Sequence, residues 1–452
     1  MSGVGSRVGV MLTAQVAGVV AVLAYVLLVE WAVANASYDV WSALVVIPML
    51  LLLSGHLIVR AGRRQEDPRF LRLLAVAFAL KALATVARYL MAFVVYDGQS
   101  DAAVYHDEGA RLAESYRDGF FDAEIGRDFI GSGFIRVLNG LLYAVTGPSI
   151  FVSYAFFAWM GFWGLYFFYR AFCVGVPDGN HHRYAIMVLF LPSMLFWPSS
   201  LGKEAWMTFA IGLSALGTAR LLGGHRKWLF PMAIGLTATA MVRPHITAAL
   251  FAGVAVAVLL RRSQRPTTPL SPLSHALTIA VVFAAGFFIV RQAASFLGVE
   301  DPSISGVDAA IDATQERTAD GGSEFTPVAV NSPLDMPWAV ISVLFRPFIF
   351  EANNVASLIA ATEGTALLAL LLVSLPRLRG LLGGLTREPY LIVCVVYTLL
   401  FVYAFSNFSN FGILTRQRVQ VLPFVLVFFA LPITQNLPLL RQLRPTRQKV
   451  SP

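Results

Sequence analysis

Charge is what this sequence lacks. Only 13% of its 452 residues are Asp, Glu, Lys or Arg, against 57% that are hydrophobic, whereas soluble domains carry about 25% charged residues. That shortfall excludes an ordinary soluble domain and predicts an integral membrane protein with many spans. The two cysteines, Cys173 and Cys394, exclude a disulfide framework and a spaced-cysteine metal site. Both fall at or inside apolar segments and read as core filler. Lysine is scarce too: Lys81, Lys203, Lys227 and Lys449 are all there are. The net charge of +8 is not read as a nucleic-acid footprint, because the cations recur in the pattern of cytoplasmic membrane loops. No phosphate-cradling glycine loop, no HExxH and no Cys/His metal spacing is present. The first apolar run, from about Val8 to Ala34, is too long for a signal h-region and reads as a span.

A helix needs roughly 20 apolar residues to cross a bilayer. On that basis the chain predicts an all-α polytopic bundle of about twelve spans, near 8–33, 40–60, 70–96, 148–172, 184–198, 203–221, 227–242, 244–261, 275–297, 355–376, 388–406 and 419–435. Two further apolar stretches, 130–147 and 337–350, follow polar loops and carry Arg136 and Arg346. They read as helices lying along the membrane surface. One alternating set of loops holds Arg60, Arg63, Arg64, Arg69 and Arg72, then Arg220, Arg226 and Lys227, then Arg261, Arg262 and Arg265, then Arg377, Arg379 and Arg387, with Arg441, Arg444, Arg447 and Lys449 in the tail. By the positive-inside rule these loops are cytoplasmic, with both termini inside. The longer, more acidic loops, 97–133 and 298–336, then face outward. At nearly forty residues the second is long enough to expect a mobile lid over a site.

This topology gathers the unusual polar residues at outer span ends. They are Asp101, Tyr105, His106, Asp107 and Glu108 in the first long loop; Lys203 and Glu204 after Phe196-Trp197-Pro198-Ser199-Ser200; Arg243-Pro244-His245 between abutting spans; Arg346 and Glu351; and Arg416 with Arg418 before the last span. Ionisable groups near membrane depth are expensive and usually face a cavity or a partner. Carboxylates and cations at one water-facing level suit a reaction in which a base activates a nucleophile while cations hold a phosphate leaving group. Asp101 and Tyr105, four apart, share a helix face. Each piece also has a plainer reading. Lys203 and Arg243 serve equally as snorkelling interfacial anchors, Asp107 and Glu108 as a solvated helix face, and Arg416 and Arg418 as a helix end. Lys81 and Arg88, seven apart on one face of the third span, fit a carboxylate partner, a phosphate contact or a cavity lining, and the sequence does not choose. The sequence demands no cofactor, although Asp101, His106 and Glu108 are the types of donor that take a divalent cation such as Mg or Mn.

The order of these pieces resembles the GT-C superfamily of membrane glycosyltransferases, especially the branch of protein O-mannosyltransferases and bacterial aminoarabinose transferases. The acidic outer motif is similar to Asp101-Ala102-Ala103-Val104-Tyr105, leading on to Ala110, Leu112 and Gly119. The surface-helix junction resembles Leu138 to Ser149. A Pro-Ser span end resembles Leu191-Pro192-Ser193, an outer polar pair resembles Lys203-Glu204, and a basic residue with Pro between spans resembles Arg243-Pro244. The resemblance covers residues 70–262, which form the expected catalytic module. Residues 1–69 precede it with two spans, and 263–452 form a variable C-terminal module. Ala102 stands where the family has its second carboxylate, so that acid is missing here or is supplied by Asp107 or Glu108.

The resemblance implies a sugar donor carried on polyprenyl phosphate, inverting transfer on the extracytoplasmic face, and an envelope glycan, lipid or protein as acceptor. Asp101 would be the general base. Arg243, Lys203 and Arg346 would hold the donor phosphate, and Tyr105, His106 and Glu108 would orient substrate or bind metal. Heavy use of Ala, Val, Leu, Gly and Arg points to a GC-rich bacterium, hence its plasma membrane. Two rival readings stand beside this one. An O-antigen-type polymerase or ligase would use outer arginines, Arg243, Arg416 and Arg418, on polyprenyl-diphosphate glycans. A transporter or flippase would show internal repeats and polar groups at the midplane; no repeat is evident.

Overall fold

The computed structural model describes residues 2–65, 68–121, 129–260, 324–330 and 332–433, together with 284, 286, 287 and 291. The expected span 275–297, residues 298–323 and 331 of the long loop 298–336, Arg261, Arg262, Arg265 and the basic tail lie outside the described residues, apart from positions 284, 286, 287 and 291. The described regular structure is helical, with one isolated β-bridge between Glu324 and Asn410. The first five helices are α1 (Ser2–Asn35), α2 (Tyr38–Gln65), α3 (Pro68–Leu90), α4 (Asp101–Arg117) and α5 (Phe134–Thr146). Then come α6 (Ile150–Gly175), α7 (His181–Phe190), α8 (Pro192–Phe196), α9 (Lys203–Leu222), α10 (Leu229–Ala240) and α11 (Pro244–Leu260). After the undescribed stretch follow α12 (Met336–Phe345), α13 (Val355–Leu378), α14 (Leu381–Leu385), α15 (Pro389–Phe405), α16 (Phe411–Arg418) and α17 (Leu422–Phe429).

Among the described residues seven helices are long and apolar enough to cross a membrane, or eight if the bent pair α16–α17 is one span. The chain is therefore a multi-pass membrane protein by composition and helix length. The expectation of about twelve is not reached for identifiable reasons. Pro192 removes a backbone donor, and the predicted span 184–198 breaks into α7 and α8. Helices α10, α11 and α15 have 12, 17 and 17 residues, so each falls short of the roughly 20 needed. Conversely, 129–146 passes on length and composition, but Ile130 and Gly131 are not helical. What remains, α5, has 13 residues, about 20 Å at 1.5 Å per residue.

Helix starts are written locally. Ser149 accepts from the Val152 amide at 3.4 Å, Asn180 from Arg183 at 2.9 Å, and Asn410 from Ile413 at 3.2 Å. Asn354 and Ser357 cap α13 reciprocally. Between helices, small residues admit close approach. A Cβ on Gly212 would sit 2.5 Å from the Gly164 carbonyl oxygen, and one on Gly235 would sit 2.5 Å from the Ser214 nitrogen. In this way α6, α9 and α10 pack backbone to backbone, the usual route to affinity between helices in lipid. One apolar core runs from α2 through α17, and α11 packs on α15.

Helix ends meet in two layers. In one, the Asn180 amide donates to Ala430 O at 2.8 Å, Arg183 Nη2 to Ser374 Oγ at 2.9 Å, and Arg377 Nη1 to Leu431 O at 2.6 Å. In the other, Asp39 Oδ1 accepts from the Ile150 amide at 2.9 Å, and the Phe325 amide donates to Ser409 O at 2.8 Å. Each pairing joins ends that the arginine pattern assigns to one side.

The break at Pro192 is closed by two charges from other helices. Glu363 of α13 accepts from the Ser193 amide at the start of α8, at 2.7 Å. Lys81 of α3 donates to the Met194 and Leu195 carbonyls at 3.4 and 3.1 Å. An acid at the N-terminal turn and a cation near the last carbonyls satisfy groups that lipid cannot. Lys81 is thus a backbone cap, the question its sequence position left open.

Candidate functional site

Four elements converge in the second layer. Helix α4 begins at Asp101, α9 at Lys203-Glu204, the α10–α11 turn supplies Arg243, and α16 supplies Arg416. Glu204 is the hub, and its side chain is only 3% exposed. Arg243 Nη2 lies 3.2 Å from its Oε1. Arg416 Nε lies 2.7 Å from the same oxygen, and Arg416 Nη2 donates to Oε2 at 3.0 Å. That Nη2 also reaches Asp101 Oδ2 at 2.9 Å, across 315 positions of sequence. The Asp101 side chain remains 57% exposed. The cluster therefore grades from a buried carboxylate held by two guanidiniums to an accessible carboxylate held by one.

Local geometry brings these ends together. Gly202, with φ at 159°, is extended. A Cβ there would meet Glu204 Oε2 at 3.7 Å and the Tyr105 ring at 3.9 Å. The Gly131 amide donates to Met241 O at 2.8 Å and ties the entry of α5 to the Arg243 turn. Tyr105 is buried beside Asp101, Glu204 and Arg416; burial pushes its phenol up to about 12, against a hydrogen bond from Ser132. Burial also pulls Arg243 below its ordinary value, with Glu204 opposing that pull. Lys203 lies in the same field, near Arg243, Glu204, Asp101 and Arg416.

Arg88 joins this group. It is mostly buried within range of Glu204 and Arg416, donates to Ser200 Oγ at 3.3 Å, and stacks over Phe196 and Trp197 at 5.0 and 5.1 Å. Several buried polar atoms around the cluster find no partner among the described residues: Arg88 Nε, Arg243 Nη1, Ser100 Oγ and Tyr154 Oη. Buried donors are normally satisfied. Two of these sit on guanidiniums, which suits an anion.

Other expected site residues lie elsewhere. His106 is on the opposite side of α4, its Nδ1 2.6 Å from Tyr143 Oη. Asp107 is exposed. Glu108 shares the Asp101 face but lies two turns on, about 10 Å along the axis, and pairs with Arg111 at 2.9 Å. His245 is half-buried, its ring 6.2 Å from that of Phe405.

Arg346 makes its described contacts outside the Glu204 cluster. It pairs with Glu351, donates to Thr326 O at 3.0 Å and lies over Phe325 at 4.5 Å. Phe325 stacks in turn on Phe411 at 4.1 Å, so this pair braces the start of α16. Arg418, 1% exposed, donates to the Leu344 and Arg346 carbonyls, each at 2.9 Å. It caps the end of α12. The proposed metal set does not fit either. Asp101, His106 and Glu108 are each committed to a different neighbour, and no group of three or more His, Cys, Asp or Glu side chains gathers among the described residues.

Three participants escaped the sequence reading. Glu363 carried a signal, an acid in the middle of an apolar run. Tyr154 and Ser100 carried none. Comparison with protein-family models, with curated proteins and with solved structures finds no match to this chain.

Proposed function

We propose that this chain is an integral membrane glycosyltransferase of the GT-C type, moving a sugar from a polyprenyl-phosphate donor to a hydroxyl of an envelope glycan, lipid or protein on the extracytoplasmic face of a bacterial plasma membrane. The observation that carries this reading is the chain Asp101–Arg416–Glu204–Arg243, running from water to a buried arginine whose Nη1, like Arg88 Nε nearby, has no partner among the described residues. Asp101 has one oxygen on Arg416 and a side chain 57% exposed, so it is placed to take the acceptor proton. The acceptor oxygen forms the new bond to the anomeric carbon as the carbon–oxygen bond to phosphate breaks. The departing phosphate gains charge, which Arg243 Nη1, Arg88 and Lys203 are disposed to meet. Glu204 takes no proton in this scheme; it fixes two guanidiniums at a set separation. General-base assistance contributes about 10²–10⁴ in rate, so Asp101→Asn is expected to reduce turnover by that order while leaving the fold intact.

The test is transfer from a panel of polyprenyl-monophosphate sugars by purified protein, wild type against Asp101→Asn. Consumption of one donor by wild type alone supports the assignment. The preponderance of arginine over acid around Glu204 also favours a second reading, a polymerase or ligase acting on polyprenyl-diphosphate glycans. Extension of a diphosphate-linked glycan with no monophosphate turnover would select it and discard the first.

A further inference from the structure

In the layer opposite this cluster, a groove of about 570 Å³ runs between α7 and α13, within the roughly 300–1,000 Å³ of small-molecule sites. Its walls are apolar, with Ile186 and Met187 on one side and Ala369, Leu370 and Val373 on the other. Ile186 and Val373 are exposed, and α13 is among the helices apolar enough to span, so the groove opens sideways to hydrocarbon. Its end is polar: Asn180, His182 and Arg183 line it there. Arg183 Nη2 donates to Ser374 Oγ at 2.9 Å, while its buried Nε has no acceptor among the described residues. Arg377 is close enough to repel it. Two neighbouring cations and a helix start therefore stand where an apolar slot meets the membrane surface, and both guanidiniums donate to neutral oxygens, Ser374 Oγ and Leu431 O.

We propose that this groove binds an anionic glycerophospholipid of that leaflet, one acyl chain along Met187 and Ala369 and the phosphate on Arg183. The charge of the polar end selects an anionic headgroup, and the open side admits a chain from the surrounding leaflet. The lipid would brace α7 against α13, the two helices whose partner α8 is held by Glu363. This inference does not depend on what the opposite layer does.

The test uses the purified full-length protein and native mass spectrometry with added phosphatidylglycerol or phosphatidylcholine. Phosphatidylglycerol adducts are expected to exceed phosphatidylcholine adducts, and Arg183→Gln should weaken them about 5-fold, the worth of one cation at a lipid surface. Ala369→Phe fills the groove and should abolish the retained adduct while leaving Arg183 in place; Arg226→Gln, an exposed cation elsewhere, should change nothing. Circular dichroism and gel filtration check that each variant is folded, and a misfolded Arg183→Gln leaves Ala369→Phe to decide. Equal retention of both lipids, or equal retention by wild type and both groove variants, overturns the proposal. Displacement of phosphatidylglycerol by polyprenyl phosphate at equimolar concentration overturns the choice of occupant.

Discussion

At the scale of the residue, Glu204 decides more than its acidity suggests. It is buried and holds two guanidiniums, so removing its charge strands Arg243 and leaves Arg416 with the exposed Asp101 alone. Breaking a buried pair by losing one partner costs roughly 3–5 kcal/mol. Glu204→Gln is therefore expected to lower the thermal midpoint in detergent clearly, and the double variant Glu204→Gln with Arg243→Gln should recover part of the loss. Simple additivity in that cycle would contradict the hub. Glu351 offers a pH test. Burial alone would raise its carboxyl, but hydrogen bonds from Arg346 and the Phe348 amide hold it below the ordinary value. A depressed acid stabilises the fold above the unfolded-state value near 4.5 and withdraws that support as pH falls through its folded value. Unfolding of wild type should thus steepen below about pH 4.5 more than that of Glu351→Gln; identical acid limbs would remove Glu351 from the account. Sequence alone could place Asp101, Arg243 and Arg416 at one level. It could not tell an arginine that meets a carboxylate from one that meets carbonyls, which is why Arg346 and Arg418 were grouped with them.

At the scale of the element, long uniform runs were legible and short abutting ones were not. Spans corresponding to α1, α2, α3, α6, α9 and α13 follow from apolar length. The stretch 184–198 did not, because whether Pro192 kinks or breaks a helix depends on what satisfies the freed backbone, and here Glu363 and Lys81 come from helices distant in sequence. Close packing of α6 on α9 was equally hidden, since a glycine in an apolar run has many uses. Gly212→Leu forces a side chain against the Gly164 backbone, and overpacking of this kind costs about 1–3 kcal/mol. A lowered midpoint is expected for Gly212→Leu and no change for Gly18→Leu, whose surroundings are open. Matching stability of the two variants would show that the α6–α9 contact is not a tight one.

At the scale of the whole molecule, the two layers make a prediction about sidedness. In a variant with Cys173 and Cys394 replaced by alanine, a cysteine at exposed Gln99 and one at exposed Thr386 should react with an impermeant maleimide from opposite faces of the membrane, Gln99 from outside. Labelling of both from the same face would break the topology, and labelling of Gln99 from inside would invert it. The contact between Asp101 and Arg416 has a last consequence, for manufacture. The ribosome makes the acid first and its arginine 315 residues later, which at synthesis rates of about 5–20 residues per second is a delay on the order of tens of seconds. During that interval the cluster lacks the residue that joins its exposed carboxylate to its buried one. A nascent chain halted before α16 therefore carries every other member of the cluster and no completed cluster, so on the proposed function premature release is expected to yield a protein that is inert rather than one that is half active.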